Sequence, residues 1–247
     1  MAKSNRKFDT SSESEVVQLD LGRRKRFHTK DLIEITPKTD NQSKALAAMF
    51  GQYDMVNLTG SSGAGKTFLA LYAALHQVLD SSTPFERIIL MRTAVATREQ
   101  GFIKGSLEDK EAVYEAPYHG LIGDIMPKFN SGYEHLKALG YIEFCKTSYI
   151  RGSTWHDSII VFDESENANA HEIYTVLTRL GENSKIFLAG DEKQTDLRKE
   201  KSGFGYLEKL STLLPYESCQ TIAFTTDDVV RSGFAKAVTI ADNYIDR

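Results

Sequence analysis

The run Gly60-Ser61-Ser62-Gly63-Ala64-Gly65-Lys66-Thr67 fits G-x-x-x-x-G-K-[ST], a spacing that belongs to a loop between a buried strand and a helix. Glycine enters positive-φ conformations at little cost, so the backbone can wrap an anion. Successive N–H groups then face inward, and the next helix adds its positive end. The flanks agree. Met55-Val56-Asn57-Leu58-Thr59 reads as a short buried strand and Phe68–Leu75 as a buried helix. Lys66 is expected to reach the β- and γ-phosphates of a nucleoside triphosphate, and the Thr67 hydroxyl to hold Mg²⁺.

A second segment narrows the chemistry. Ser158-Ile159-Ile160-Val161-Phe162 is β-branched and aromatic throughout, as a strand buried on both faces requires. Asp163 and Glu164 follow at its carboxyl end, where open α/β sheets place their ligands. Asp163 is the expected partner of Thr67 in holding the metal, acting from behind the ion's direct ligands. Glu164 is placed to orient and deprotonate a water. Positioning and charge neutralisation are most of what phosphoryl transfer needs.

Around these segments strands and helices alternate. Further strands are expected at Arg87–Met91, Tyr141–Cys145, Lys185–Ala189 and Thr221–Phe224. Helical patterns cover Asp40–Phe50, Tyr133–Leu139, Glu172–Leu180 and a C-terminal stretch from Asp228. Arg92 to Gly140 shows no clear strand and is broken up by Gly101, Gly105, Gly120 and Gly123. Such alternation means an α/β fold, a mostly parallel sheet with helices on both faces. Residues 1–39 read as a separate N-terminal segment, disordered over Met1–Glu15 and carrying the basic cluster Arg23–Arg26. Residues 40–247 form the expected catalytic domain.

With 247 residues, 41% of them hydrophobic, the chain can bury one sizeable core. Its net charge of −4 does not announce a nucleic-acid binder, so any basic surface must be local. The two cysteines, Cys145 and Cys219, have neither metal nor disulfide spacing, which fits a reducing cytoplasm. No run has the length and apolarity of a membrane span or signal peptide.

Other residues fall into place by strand position. Gln194, in Gly190-Asp191-Glu192-Lys193-Gln194, follows a strand and can bond both a γ-phosphate oxygen and the lytic water. Gln42 opens the helix before the loop strand, and its amide can pair with an adenine edge. Arg231, Arg179 and Arg151 can each supply positive charge to a transition state. Val229 and Val230 are expected to fix the start of the last helix and aim Arg231.

GSSGAGKTFLA, LMRTAVATREQGFIKG, YIRGSTWHDSIIVFDESEN, LTRLGENSKIFLAGDEKQTDL and TTDDVVRS occur in this order. From about Gln42 onward the chain thereby resembles the PhoH-like ATPases in their short phage form. That resemblance implies a single RecA-like P-loop NTPase core, similar to those of superfamily-one helicases. It implies Gln42 as the adenine-reading residue and Gln194 as the γ-phosphate sensor. Arg231 becomes the arginine that completes the chain's own or a neighbour's site. It also implies a ring-like homo-oligomer, commonly of six subunits. Where the family pattern has Gln after Asp-Glu-Ala, this chain has Glu166 in Asp163-Glu164-Ser165-Glu166-Asn167. The RNA-cleaving domain that precedes the ATPase in some relatives has no room here, so no nuclease activity carries over.

The reading is a Mg²⁺-dependent ATPase in the cytoplasm, or the host's if phage-encoded. The nucleotide-binding set is Gln42, Gly60, Ser61, Ser62, Gly63, Ala64, Gly65, Lys66, Thr67 and Phe68. The metal set is Thr67 and Asp163, and the catalytic set Lys66, Glu164, Gln194 and Arg231. Single-stranded RNA or DNA is the expected macromolecular partner, for binding or helicase-like unwinding. A P-loop small-molecule kinase is the alternative from another class, disfavoured because Glu164 and Gln194 point to water as acceptor. A non-catalytic nucleotide-binding scaffold is disfavoured by the presence of Lys66, Thr67, Asp163 and Glu164 together.

Overall fold

The computed structural model describes residues 27–93, 107–147, 150, 152–195, 197, 202–242 and 245. The Met1–Glu15 tail, the Arg23–Arg26 cluster and Arg151 lie outside them. In chain order the elements are α1 (Asp40–Phe50), β1 (Met55–Gly60), α2 (Lys66–Leu79), β2 (Arg87–Arg92), α3 (Leu107–Ile125), α4 (Gly132–Ala138), β3 (Ile142–Lys146), β4 (Ser158–Asp163), α5 (Ala170–Leu177), β5 (Lys185–Ala189), α6 (Phe204–Leu213), β6 (Cys219–Phe224) and α7 (Gly233–Asp242).

The strands pair in the order β3-β2-β4-β5-β1-β6, every pair parallel. Alternate residues feed opposite faces, as the period of a strand demands. Ile88, Leu90, Ile159 and Val161 join a core with Ala45 of α1, Leu71 of α2, Tyr118 of α3 and Leu136 of α4. Ile89, Met91, Ile160 and Phe162 join a second core with Ile173 of α5 and Leu207 of α6. The RecA-like α/β fold class, with helices on both faces, is the one observed.

The differences from the sequence reading are local and have physical reasons. Residues 107–125 form one continuous helix rather than a glycine-broken stretch. Tyr118, Ile122 and Ile125 recur at helical spacing and are fully buried, whereas a side chain at Gly120 or Gly123 would meet only open space. Burial of one face outweighs the low propensity of glycines on the other. The Glu172–Leu180 pattern is helical only to Leu177, because Leu180 forms a bridge with Trp155. A capping box at Asn169 and Glu172 starts that helix two residues earlier. The last helix begins at Gly233, not Asp228. Thr226–Asp228 is a single 3-10 turn, and the Val230 N–H donates to the Gly63 carbonyl at 3.1 Å instead of to a helix. α6 has no counterpart in the sequence reading.

Candidate nucleotide site

All six strands end on one rim, and the loops that follow β1, β4 and β5 gather around a cleft of about 320 Å³. The loop after β1 carries positive φ at Gly60, Gly63 and Gly65. Two of these positions have no room for a side chain. A Cβ on Gly60 would stand 2.0 Å from the Phe224 carbonyl oxygen of β6, and one on Gly63 would stand 2.8 Å from Nε of Arg231. The loop is thus wedged between β6 and the segment that carries Arg231. α2 leaves it with its N-terminus toward the cleft, its first residues being Lys66 and Thr67.

The Lys66 ammonium folds back onto the loop, donating to the carbonyls of Gly60 at 2.6 Å and Ser61 at 2.9 Å. Burial pushes its pKa down, and the carboxylates of Asp191, Glu166 and Asp163 oppose that shift. Thr67 Oγ1 donates to Asp163 Oδ1 at 2.7 Å. This bond joins the helix after the loop to the end of β4 across 96 residues of sequence. The other carboxylate oxygen of Asp163 accepts from the Tyr118 hydroxyl at 2.9 Å. Burial raises the Asp163 pKa, while the bonds from Thr67 and Tyr118 pull it down. A hydroxyl beside an oriented carboxylate is an all-oxygen donor set, which suits Mg²⁺.

Glu164 follows in a left-handed conformation, φ 50°. Its carboxylate is gripped by the Arg92 guanidinium, with Arg92 Nε donating to Oε2 at 2.9 Å and Nη2 pairing with Oε1. Glu166 is buried and accepts from the Asp191 N–H at 3.1 Å. Burial pushes its pKa up to about 7. It thereby acts as a wall of the cleft behind Gly190.

Of the expected residues, Ser62, Gly63, Gly65, Lys66, Thr67, Phe68, Asp163, Glu164, Gln194 and Arg231 line the cleft together. Ala64 is fully buried beneath it. Gln42 stands behind the loop, donating to the Ala64 carbonyl at 2.9 Å and accepting from the Lys38 N–H at 2.7 Å. Reading a base would require Gln42 to exchange those bonds. Gln194 sits exposed in the 3-10 turn after β5. Arg231 lies over its own chain's loop. Asp228 is engaged elsewhere, by Asn41 at 2.8 Å and by the Thr225 N–H at 2.8 Å. Arg179 is not brought to the cleft. Its carbonyl accepts from the Trp155 N–H ahead of β4, at the opposite rim.

Sequence reading missed Arg92 and Tyr118. The Tyr118–Ile122–Ile125 spacing was the available signal for a helix there, and a buried Asp163 needs partners for both oxygens.

A family model described as PhoH-like protein matches residues 34–243. A PhoH-like protein of Bacillus subtilis is 34% identical over 199 residues, covering 80% of this chain and 60% of that one. A PhoH-like protein of Mycobacterium bovis is 36% identical over 169 residues, covering 66% of this chain and 45% of that one. The chain thus spans about half the length of the curated relatives it matches. Among solved structures, a Pif1 helicase from Bacteroides in complex with ADP-AlF3 and ssDNA is similar at 15% identity and a TM-score of 0.34, over 77% of this chain and 43% of that one.

Proposed function

The chain belongs to the PhoH-like protein family of P-loop NTPases, and on that premise we propose that it is a Mg²⁺-dependent ATPase. In this reading hydrolysis is coupled to binding or unwinding of single-stranded RNA or DNA, and the working form is a ring of identical subunits. The observation that carries the ATPase reading is the Thr67–Asp163 hydrogen bond in a cleft that also holds Lys66 and Glu164. In this reading these residues serve as a metal-holding pair, a phosphate-binding cation and a base that share one space.

The roles follow from position. The loop N–H groups and the start of α2 receive the phosphates. Lys66 exchanges the carbonyls of Gly60 and Ser61 for phosphate oxygens, which recovers for its charge the solvation that burial removed. Thr67 and Asp163 would hold Mg²⁺, which would supply charge neutralisation on the phosphates. Glu164 takes the proton of the attacking water, Gln194 orients that water, and Arg231 meets charge developing on the γ-phosphate. Gln42 selects adenine after exchanging its present bonds. Nucleic-acid coupling and the ring follow from the family resemblance.

The test is ATP turnover, with and without Mg²⁺, in wild type and in Glu164→Gln and Lys66→Ala. Glu164→Gln keeps nucleotide binding and loses about 10²–10⁴-fold in rate, the usual worth of a general base. Lys66→Ala loses turnover while its melting temperature holds or rises, since burial already disfavours the ammonium. Normal turnover in either folded variant would defeat the assignment.

A further inference from the structure

Glu164 is not free to act as a base in this arrangement. Both of its carboxylate oxygens are engaged by one guanidinium in a bidentate pair, the strongest geometry a carboxylate can find in a protein. Arg92 is the last residue of β2, and β2 lies on the far side of β4 from the loop strand β1. Three inter-strand steps separate β2 from β1, about 14 Å. The pair therefore ties the carboxylate to a residue rooted away from the phosphate loop.

Aligning the two strands does not require this pair. β2 and β4 are already in parallel register, with Arg92 opposite Asp163. Nor does the backbone at Glu164 depend on it. The left-handed turn is closed by the Asn167 N–H donating to the Glu164 carbonyl at 3.0 Å. What the pair does fix is the side chain of Glu164, which is 40% exposed, against Arg92, which is 18% exposed.

We propose that Arg92 is a positioning residue that latches Glu164 in a resting arrangement, and that the phosphate backbone of a single strand opens the latch by taking the guanidinium. Phosphate is the one common group that matches a guanidinium bidentately as well as a carboxylate does. Lys146 ends β3 directly opposite Arg92 in register and is buried, its ammonium over the Tyr114 ring, so it adds positive charge beside the latch without itself being open to a strand. Once Arg92 turns to a phosphate, Glu164 swings toward the cleft and hydrolysis is switched on. This rests on the reading of the protein as a nucleic-acid-coupled ATPase.

The experiment measures ATP turnover with and without oligo-dT and oligo-U, in wild type, Arg92→Gln, Arg92→Lys and Arg92→Gln/Glu164→Gln. Losing the latch raises strand-free turnover of Arg92→Gln at least about fivefold, because the competent fraction of Glu164 rises. The added stimulation by either strand shrinks accordingly, and the double variant is inactive. Arg92→Lys keeps the charge without the fork and falls between. Strand-free turnover of Arg92→Gln and Arg92→Lys at or below wild type, with melting temperatures unchanged, would overturn the latch. A double variant as active as Arg92→Gln would overturn it too, since the gain would not run through Glu164. Raised turnover in Arg92→Gln beside a wild type that neither strand stimulates would overturn the strand as the opening ligand, and with it the nucleic-acid reading, while supporting the latch itself.

Discussion

Arg231 lies beside Gly63 of its own chain at the cleft, the placement that action in cis would need. Asp228, three residues before it, is held by Asn41 and Thr225. Arg231→Ala should cut turnover at least tenfold with little change in melting temperature, because an arginine on the transferring phosphate is worth about 10³–10⁵ in NTPases that use one. Mixing Arg231→Ala with Lys66→Ala subunits should restore nothing if the arginine serves its own loop. Recovery in oligomers shown to have exchanged subunits would move it to the neighbour's site. The cleft residues legible in the sequence are those whose roles depend on immediate neighbours. Lys66 and Thr67 follow a glycine pattern, and Asp163 and Glu164 end a hydrophobic run. Arg92 and Tyr118 were illegible because their contacts span 72 and 45 residues, and neither lies in a pattern that chemistry alone requires.

Helix α3 shows what an element contributes to a site it does not chemically serve. Tyr118 holds one oxygen of Asp163 while Thr67 holds the other, so α3 orients the metal-side carboxylate from the wall of the cleft. Tyr118→Phe removes one of the bonds that lower the Asp163 pKa and should raise the Mg²⁺ concentration for half-maximal turnover about three- to tenfold, the net worth of one ordinary hydrogen bond. A magnesium titration of turnover measures this, and an unshifted midpoint would make the bond incidental. The segment after β4 supplies a pH signature. Glu166 has a folded pKa of about 7 against an ordinary value of 4.5. The native state binds its proton more tightly, so its contribution to stability is full below pH 4.5 and is lost as pH rises through about 7. Glu166→Gln should therefore melt higher than wild type at pH 8 and converge with it near pH 5, provided the amide oxygen still accepts from Asp191. β2, β4 and β5 were legible because their interiors are uniformly apolar. α3 was not, because its two glycines lie on the face that packs against nothing.

At the scale of the whole molecule, α7 carries two of the large apolar residues left outside the cores, Phe234 at 84% exposed and Val238 at 47%. α7 begins two residues after Arg231, which lines the cleft. In the ring reading a neighbouring subunit covers this helix, and light scattering with ATP and Mg²⁺ should report a multiple of the chain mass that falls in Phe234→Asp. A monomer with undiminished turnover would count against the ring. Among the described residues no helix is long and apolar enough to cross a membrane. The strand order has one more consequence, for thiol chemistry. β3 and β6 are the two edges of the sheet, and each carries one of the two cysteines in the chain. Cys145 stands next to the end of β3, on the rim where the strands finish, and Cys219 begins β6 at the opposite rim. Five inter-strand steps, about 24 Å, lie between the edges. Cys219 is buried and its thiol is pushed up by that burial, while Cys145 is half-buried. A disulfide reagent should meet Cys145 first, which gives the unmodified protein two probes of unequal reactivity, one at each edge of the sheet.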